Sequence, residues 1–263
     1  MTRSRGLTRR RVTLLVAGLA WAVALVVGGS YGLTALRIYQ QTTRVAARFD
    51  PPVVAGQVIA GGCSGGFYAR KDSTIVLLSS AHCLAPGDRI RDGQGRVVGV
   101  LGPRAQLPDC PATRFCAPSD FMPLALVPDR IPWGHLNMVD MGAGGYRTFA
   151  DGTKALGCVD LTRGEKVEVD GRERFRTGPL VEVGPYDYDT IFPCMAIADM
   201  EVGVGDSGGA VLVDGQPAGV ISRDINGKLA FTPLEEGLAN LGLTLCTTPD
   251  CGLTPDTAVQ PTE

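Results

Sequence analysis

The sequence predicts an all-β fold, and three observations carry that reading. Glycine (35) and proline (18) are abundant among the 263 residues. The apolar runs are short and separated by turn residues, as in β-barrels and sandwiches. Hydrophobic residues make up 44% of the chain, enough for one substantial core or two small abutting ones. No repeat of about 20–50 residues is visible, which excludes solenoids and propellers.

The N-terminus comes first. Met1–Arg11 carries five arginines and no acid, and Val12–Leu36 then runs 25 residues without a charge. A cleavable signal has an apolar core of about 7–15 residues, whereas a membrane span needs about 17–25. Length therefore favours an uncleaved anchor over residues 12–36, with tail 1–11 held in the cytoplasm by its arginines. The alternatives are a long signal peptide cut near Ala35, or a twin-arginine signal with Arg9-Arg10-Arg11 before the apolar core. All three place the rest of the chain outside the cytoplasm. The expectation is a single-pass plasma-membrane protein, or a secreted one if the segment is removed. Residues 37–56 read as a stalk stiffened by Pro51-Pro52.

Strands are predicted over Thr74–Leu78, Val97–Leu101, Lys166–Val169, Leu180–Val183, Ala210–Val213 and Ala218–Ser222. One helix follows. Thr232 can cap it, Pro233 suits its first position and Glu235 completes a capping box. Leu234, Leu238, Leu241 and Leu245 recur at helical spacing. The end of the chain, 246–263, is rich in Thr and Pro and reads as a tail with a small disulfide loop.

Two segments carry chemistry. Gly205-Asp206-Ser207-Gly208-Gly209 sets a serine among glycines, which permit turns a Cβ would forbid and let a carbonyl approach the main chain. Serine is a poor nucleophile at neutral pH, so it needs a base nearby and N–H donors for the oxyanion. Ser79-Ser80-Ala81-His82-Cys83 supplies one of only two histidines. The other, His135 in Pro132-Trp133-Gly134-His135, reads as an ordinary loop residue.

Together these segments resemble the chymotrypsin/trypsin serine peptidases, and the likeness extends from about Gly56 to Leu245. Cys63-Ser64-Gly65-Gly66-Phe67 looks like the family's Cys-Gly-Gly strand. Ala218-Gly219-Val220-Ile221-Ser222 resembles the strand along which substrate pairs. Phe231-Thr232-Pro233-Leu234 and the helix after it are similar to the bacterial, streptogrisin-like branch.

The resemblance implies two six-stranded antiparallel barrels over 57–245, about 57–130 and 138–245, with the active site in the cleft between them. It implies Ser207 as nucleophile, His82 as general base and the Gly205 and Ser207 N–H groups as oxyanion hole. For the acid, Asp109, Asp120, Asp129 and Asp140 are available, and Asp120 is chosen because it precedes an apolar strand. Pro123 departs from that pattern and puts the local register in question.

Asp206 corresponds to the acid that animal members pair with a newly cut N-terminus. Val53-Val54-Ala55-Gly56 or Val58-Ile59-Ala60-Gly61 only faintly resembles such an end. Bacterial members use an internal cation instead, and Arg147 or Lys154 is expected in that role. Glu201 lies where trypsin-like members hold a pocket acid, and a buried carboxylate there would select Arg or Lys at the cleaved position. Ser222 and Asp224 are further substrate-binding candidates. Arg223 replaces a usually small residue and could narrow the pocket or recruit an acidic substrate.

All eight cysteines lie at or after Cys63, as in an oxidised extracytoplasmic domain. The resemblance gives Cys63–Cys83; short spacing suggests Cys110–Cys116 and Cys246–Cys251; Cys158–Cys194 is what remains. A zinc site would lack Cys-x-x-Cys pairs and spare histidines, so no metal or cofactor is expected. Without residues 1–36 the net charge falls from −2 to −7, which disfavours nucleic acid as a partner. The expected partners are protein or peptide substrates, together with the membrane. The His–Asp–Ser order excludes an α/β-hydrolase. A catalytically silent fold used as a cell-surface binding module is the other reading.

Overall fold

The computed structural model describes residues 55–259, apart from 57–58, 60–62, 84, 92–95, 108–114, 171–174 and 188–189. The expected tail, anchor and most of the stalk lie outside these residues. Among the described residues no helix is long and apolar enough to cross a membrane.

The first half of the chain gives β1 (Tyr68–Lys71), β2 (Thr74–Ser80), β3 (Arg89–Arg91), β4 (Val97–Leu101), β5 (Phe115–Cys116), β6 (Phe121–Leu126), β7 (Met138–Asp140) and β8 (Tyr146–Thr148). The second half gives β9 (Lys166–Asp170), β10 (Phe175–Asp187), β11 (Thr190–Ala198), β12 (Ala210–Val213), β13 (Gln216–Ile225), β14 (Lys228–Pro233), α1 (Leu234–Leu241) and β15 (Thr244–Leu245). Each strand expected from the sequence falls inside one of these.

One sheet has six strands in the order β15-β1-β2-β6-β4-β3. The other runs β10-β9-β12-β13-β14-β11, and pairing of β10 with β11 closes it into a six-stranded barrel. Two short strands cross the expected boundary between the halves. β15, from the end of the chain, is the edge of the first sheet. β5 leaves the first half to pair in parallel with β11 through Thr190↔Phe115 and Ile191↔Cys116.

Alternation explains the cores. Val167, Val169, Val211, Val213, Ala218, Ile221, Leu229 and Phe231 fill the closed barrel. Ile75, Leu77, Phe121, Leu124 and Leu126 fill the first sheet's side and meet Ala210, Leu212 and Val220 in one continuous apolar cluster. That shared cluster seats the two halves against each other by burying apolar area from both.

Pro123 leaves the register intact. β2 and β6 pair without a shift from Val76↔Ala125 to Ser80↔Phe121, with Leu78 opposite Pro123. The Leu78 N–H and C=O are already used on the other side, by Phe67 O (2.8 Å) and Gly66 N–H (2.7 Å). Leu78↔Pro123 is thus a pair without mutual hydrogen bonds, so the proline removes no bond to β2. Its nitrogen faces the β4 side, where the pairing with β6 ends at Leu124.

The helix differs at both ends from expectation. Pro233 stands at the cap position as the last residue of β14, and Leu234 opens the helix. No side chain caps it. Thr232 turns its hydroxyl elsewhere, as described below. Gly242 ends the helix with φ +65°, the left-handed conformation glycine adopts at low cost. Leu245 consequently belongs to β15 rather than to the helix.

Disulfides join Cys63–Cys83, Cys158–Cys194 and Cys246–Cys251. Cys116 is also disulfide-bonded, and its expected partner Cys110 lies outside the described residues. The packed domain reaches into the expected stalk. Ala55 is fully buried and its carbonyl accepts from Asp140 N–H (2.9 Å), while Gly56 N–H donates to Gly65 O (2.7 Å). Tyr68 is buried with Ala55 as a backbone hydrogen-bond partner, and that burial pushes its phenol well above the ordinary range.

Candidate active site

His82 sits just past the end of β2, and Cys63–Cys83 ties its turn to the neighbouring segment. Asp120 immediately precedes β6, whose pairing with β2 places the two residues side by side; Ala81 N–H donates to Asp120 O (3.3 Å). Asp120 is 2% exposed, and its Oδ2 lies 2.8 Å from His82 Nδ1. His82 Nε2 lies 3.1 Å from Ser207 Oγ. The imidazole therefore bridges a buried carboxylate and a hydroxyl, one nitrogen to each.

The second barrel holds the acid in place. Ser222 Oγ donates to Asp120 Oδ2 (2.5 Å). The Asp120 N–H donates to Thr232 Oγ1 (2.9 Å), which also meets Ser119 Oγ at 3.1 Å. Thr232 is buried between the sheets. A cap side chain must face the exposed N–H groups of its helix, so this threonine is unavailable as one.

The serine turn is fixed from several sides. Gly205 has φ +100° and Gly208 φ +85°. A Cβ on Gly208 would stand 2.4 Å from Ser64 O and 2.6 Å from Ser79 Oγ, so only glycine fits. Ser64 Oγ donates to Gly205 O (2.8 Å) and Ser64 N–H to Ser207 O (2.7 Å). Gly209 N–H donates to the Asp206 carbonyl (2.9 Å). Because a trans peptide points its N–H opposite to its C=O, the Ser207 N–H is directed away from that internal bond.

Asp206 is 1% exposed, and its carboxylate meets Arg176 Nη1 at 2.8 Å and Gly203 N–H at 2.7 Å. The internal cation is Arg176, not Arg147 or Lys154. Arg147 instead donates to Gly144 O (2.7 Å) and pairs with Glu168 at 3.5 Å. Arg176 reaches Asp206 from β10, where it stands opposite Val169 of β9. No local pattern around Arg176 announces this pairing across 30 residues; it depends on barrel register.

The specificity candidates separate. Ser222 is buried and serves Asp120. Glu201 is exposed, and its main-chain carbonyl accepts from Arg176 (3.1 Å), so the buried carboxylate expected there is not present. Asp224 is exposed, and its Oδ1 accepts from Gly227 N–H (2.8 Å) within the β13–β14 turn. Arg223 lies over the rings of Tyr186 (5.1 Å) and Phe192 (5.4 Å). The Nδ1 of His135 contacts Met138 Sδ at 3.3 Å. Of the other aspartates that the sequence offers the imidazole, Asp129 contacts Arg130 (3.6 Å), Asp140 accepts from Gly142 N–H (2.9 Å) and Asp109 lies outside the described residues. Among the described residues no group of three His, Cys, Asp or Glu could hold a metal ion.

No protein-family model and no curated protein matches the sequence. Solved structures do match in fold. A glutamic-acid-specific serine protease that uses a histidine triad in substrate binding is 21% identical, with TM-score 0.59 over 73% of this chain and 100% of the other. Cellulomonas bogoriensis chymotrypsin is 21% identical, with TM-score 0.57 over 74% of this chain and 99% of its own. Thermobifida fusca protease A is also 21% identical, with TM-score 0.57 over 73% and 97%. The described domain therefore has the chymotrypsin-like fold of bacterial serine proteases.

Proposed function

We propose that the chain is a serine endopeptidase, held at the outer face of the plasma membrane by residues 12–36, that hydrolyses peptide bonds through an acyl-enzyme. The observation that carries this reading is the Asp120–His82–Ser207 connection, at 2.8 and 3.1 Å, inside a protease fold.

In the proposed reaction His82 Nε2 takes the Ser207 proton as Oγ attacks the scissile carbonyl. The C=O π bond becomes an oxyanion received by the Gly205 and Ser207 N–H groups. The imidazolium, stabilised by Asp120, then gives its proton to the leaving amine as the C–N bond breaks. Water repeats the sequence on the ester and releases the acid. Ser222 and Thr232 keep the carboxylate aimed, one at its oxygen and the other at its main chain. The Arg176–Asp206 pair supports the view that the serine turn forms without a newly cut N-terminus.

The test is fluorophosphonate labelling of the full chain in isolated membranes, with Ser207→Ala and His82→Ala as controls. Labelling is expected in wild type, absent in Ser207→Ala and reduced at least about a thousandfold in rate in His82→Ala. A folded, oxidised wild type that takes no label before or after limited proteolysis points instead to a binding module. Recovery of the protein in the soluble fraction, with its N-terminus near residue 36, would replace the anchor by a cleaved signal.

A further inference from the structure

We propose that Ser64 is a positioning residue for the oxyanion hole, its hydroxyl aiming the Gly205 and Ser207 N–H groups. The inference rests on the peptidase reading.

Three consecutive peptide units form the centre of the serine turn. In the Gly205–Asp206 unit the carbonyl accepts from Ser64 Oγ (2.8 Å) and the N–H donates to Gly203 O (3.1 Å). In the Ser207–Gly208 unit the carbonyl accepts from Ser64 N–H (2.7 Å) and the N–H donates to Ile221 O (2.8 Å). Between them lies the Asp206–Ser207 unit, whose carbonyl accepts from Gly209 N–H (2.9 Å) and whose N–H is one of the proposed oxyanion donors. Ser64 therefore grips the peptide on each side of that donor, one with its side chain and the other with its main chain. Each unit is planar and trans, so holding its carbonyl also sets the direction of its N–H.

The hydroxyl supplies the half of this grip that any other residue's backbone would lack. Gly205, at φ +100°, has no Cβ to resist rotation of the unit that follows it. Gly205 is buried, so a carbonyl deprived of Ser64 Oγ gains by turning towards another donor. That rotation tips both oxyanion donors, because the Gly205 N–H lies on one side of the unit and the Ser207 N–H on the other. Ser64 is itself firmly placed. It is 1% exposed, and its carbonyl accepts from Ser79 Oγ (2.8 Å) of β2, the strand that ends beside His82. Cys63, the residue before it, is bonded to Cys83, the residue after His82. The oxyanion donors are thus tied through Ser64 to the segment that carries the general base. Those donors act as charge develops on the carbonyl oxygen, so losing their aim costs the chemical step and not the binding step.

The experiment measures single-turnover acylation of the full-length protein by p-nitrophenyl acetate, in wild type, Ser64→Ala and Ser64→Thr. Ser64→Ala is expected to lower the limiting rate by about ten- to hundredfold, less than the roughly hundred- to thousandfold cost of losing a whole donor. Its half-saturation concentration should stay within about threefold of wild type. Ser64→Thr, which keeps the hydroxyl, should recover most of the lost rate. Phosphorus NMR of the fluorophosphonate adduct reads the hole directly, since the phosphoryl oxygen occupies it. The Ser64→Ala resonance should move from the folded wild-type position towards that of the denatured adduct. A limiting rate within about threefold of wild type in Ser64→Ala, an unmoved resonance, or a folded Ser64→Thr as slow as Ser64→Ala overturns the proposal. Should Ser64→Ala not fold, Ser79→Ala is read in its place, because it frees the Ser64 carbonyl and leaves both Ser64 donors. A lower limiting rate with a moved resonance then supports the proposal, and two unchanged readings overturn it. A folded wild type that is never acylated sinks the peptidase reading and this inference with it, whereas an active wild type matched by Ser64→Ala sinks this inference alone.

Discussion

Asp206 and Arg176 show how much one side chain can hold. The carboxylate is almost wholly buried and meets a guanidinium that is itself 16% exposed. Removing the cation takes the 2.8 Å Arg176 contact away from a buried charge, a change worth about 3 kcal/mol or more. Arg176→Ala is accordingly expected to lower the melting temperature and to cut fluorophosphonate reactivity together, since Asp206 immediately precedes the nucleophile. Substitution of Lys154 should change neither. A stable, fully reactive Arg176→Ala protein would refute this account of the turn. At the same scale, the serine, histidine and glycines were legible as motifs because each has a chemistry that few residue types supply. Thr232, Ser64 and Arg176 were not, because a threonine, a serine and an arginine acquire those duties only from what lies across the sheet.

Elements add constraints that single residues do not. The C-terminal helix packs on the start of β6, next to Asp120. A Cβ on Gly237 would stand 2.2 Å from Phe121 Cζ and 2.6 Å from Ser119 Cβ. Alanine favours helices by about 1 kcal/mol over glycine in an open site, yet here it must displace a buried ring. Gly237→Ala is therefore expected to destabilise by about 1–3 kcal/mol and to weaken labelling of Ser207 through Asp120, measured by thermal denaturation and labelling rate. A stabilised variant would show that Phe121 yields easily. Strand positions were readable from period and turn residues, and the helix from its leucines. Its first turn differs from the sequence expectation because Thr232 and Pro233 suit a helix start as well as a strand end, and pairing of β14 with β13 places them in the strand.

For the whole molecule, chain ends and crossovers matter most. β15 closes the edge of the first sheet beside β1, and Cys246 N–H donates to Tyr68 O (3.0 Å). Leu245, Cys246 and Cys251 are all buried. Deleting 244–263 should remove about 3 kcal/mol or more, lowering the melting temperature by roughly 6–12 °C. An unchanged melting temperature would mean the first sheet stands without its C-terminal strand.

The all-β class, the nucleophile and base candidates and the oxidised, acidic character of the domain were legible in the amino-acid order alone. These depend on local pattern, on residue chemistry and on composition, none of which needs a partner across space. Folding in three dimensions settles which cation meets Asp206, that Thr232 supports the acid, and that β5 and β15 each join the opposite half. Those are pairings between residues tens to more than a hundred positions apart, set by strand register, which periodicity along the chain does not encode.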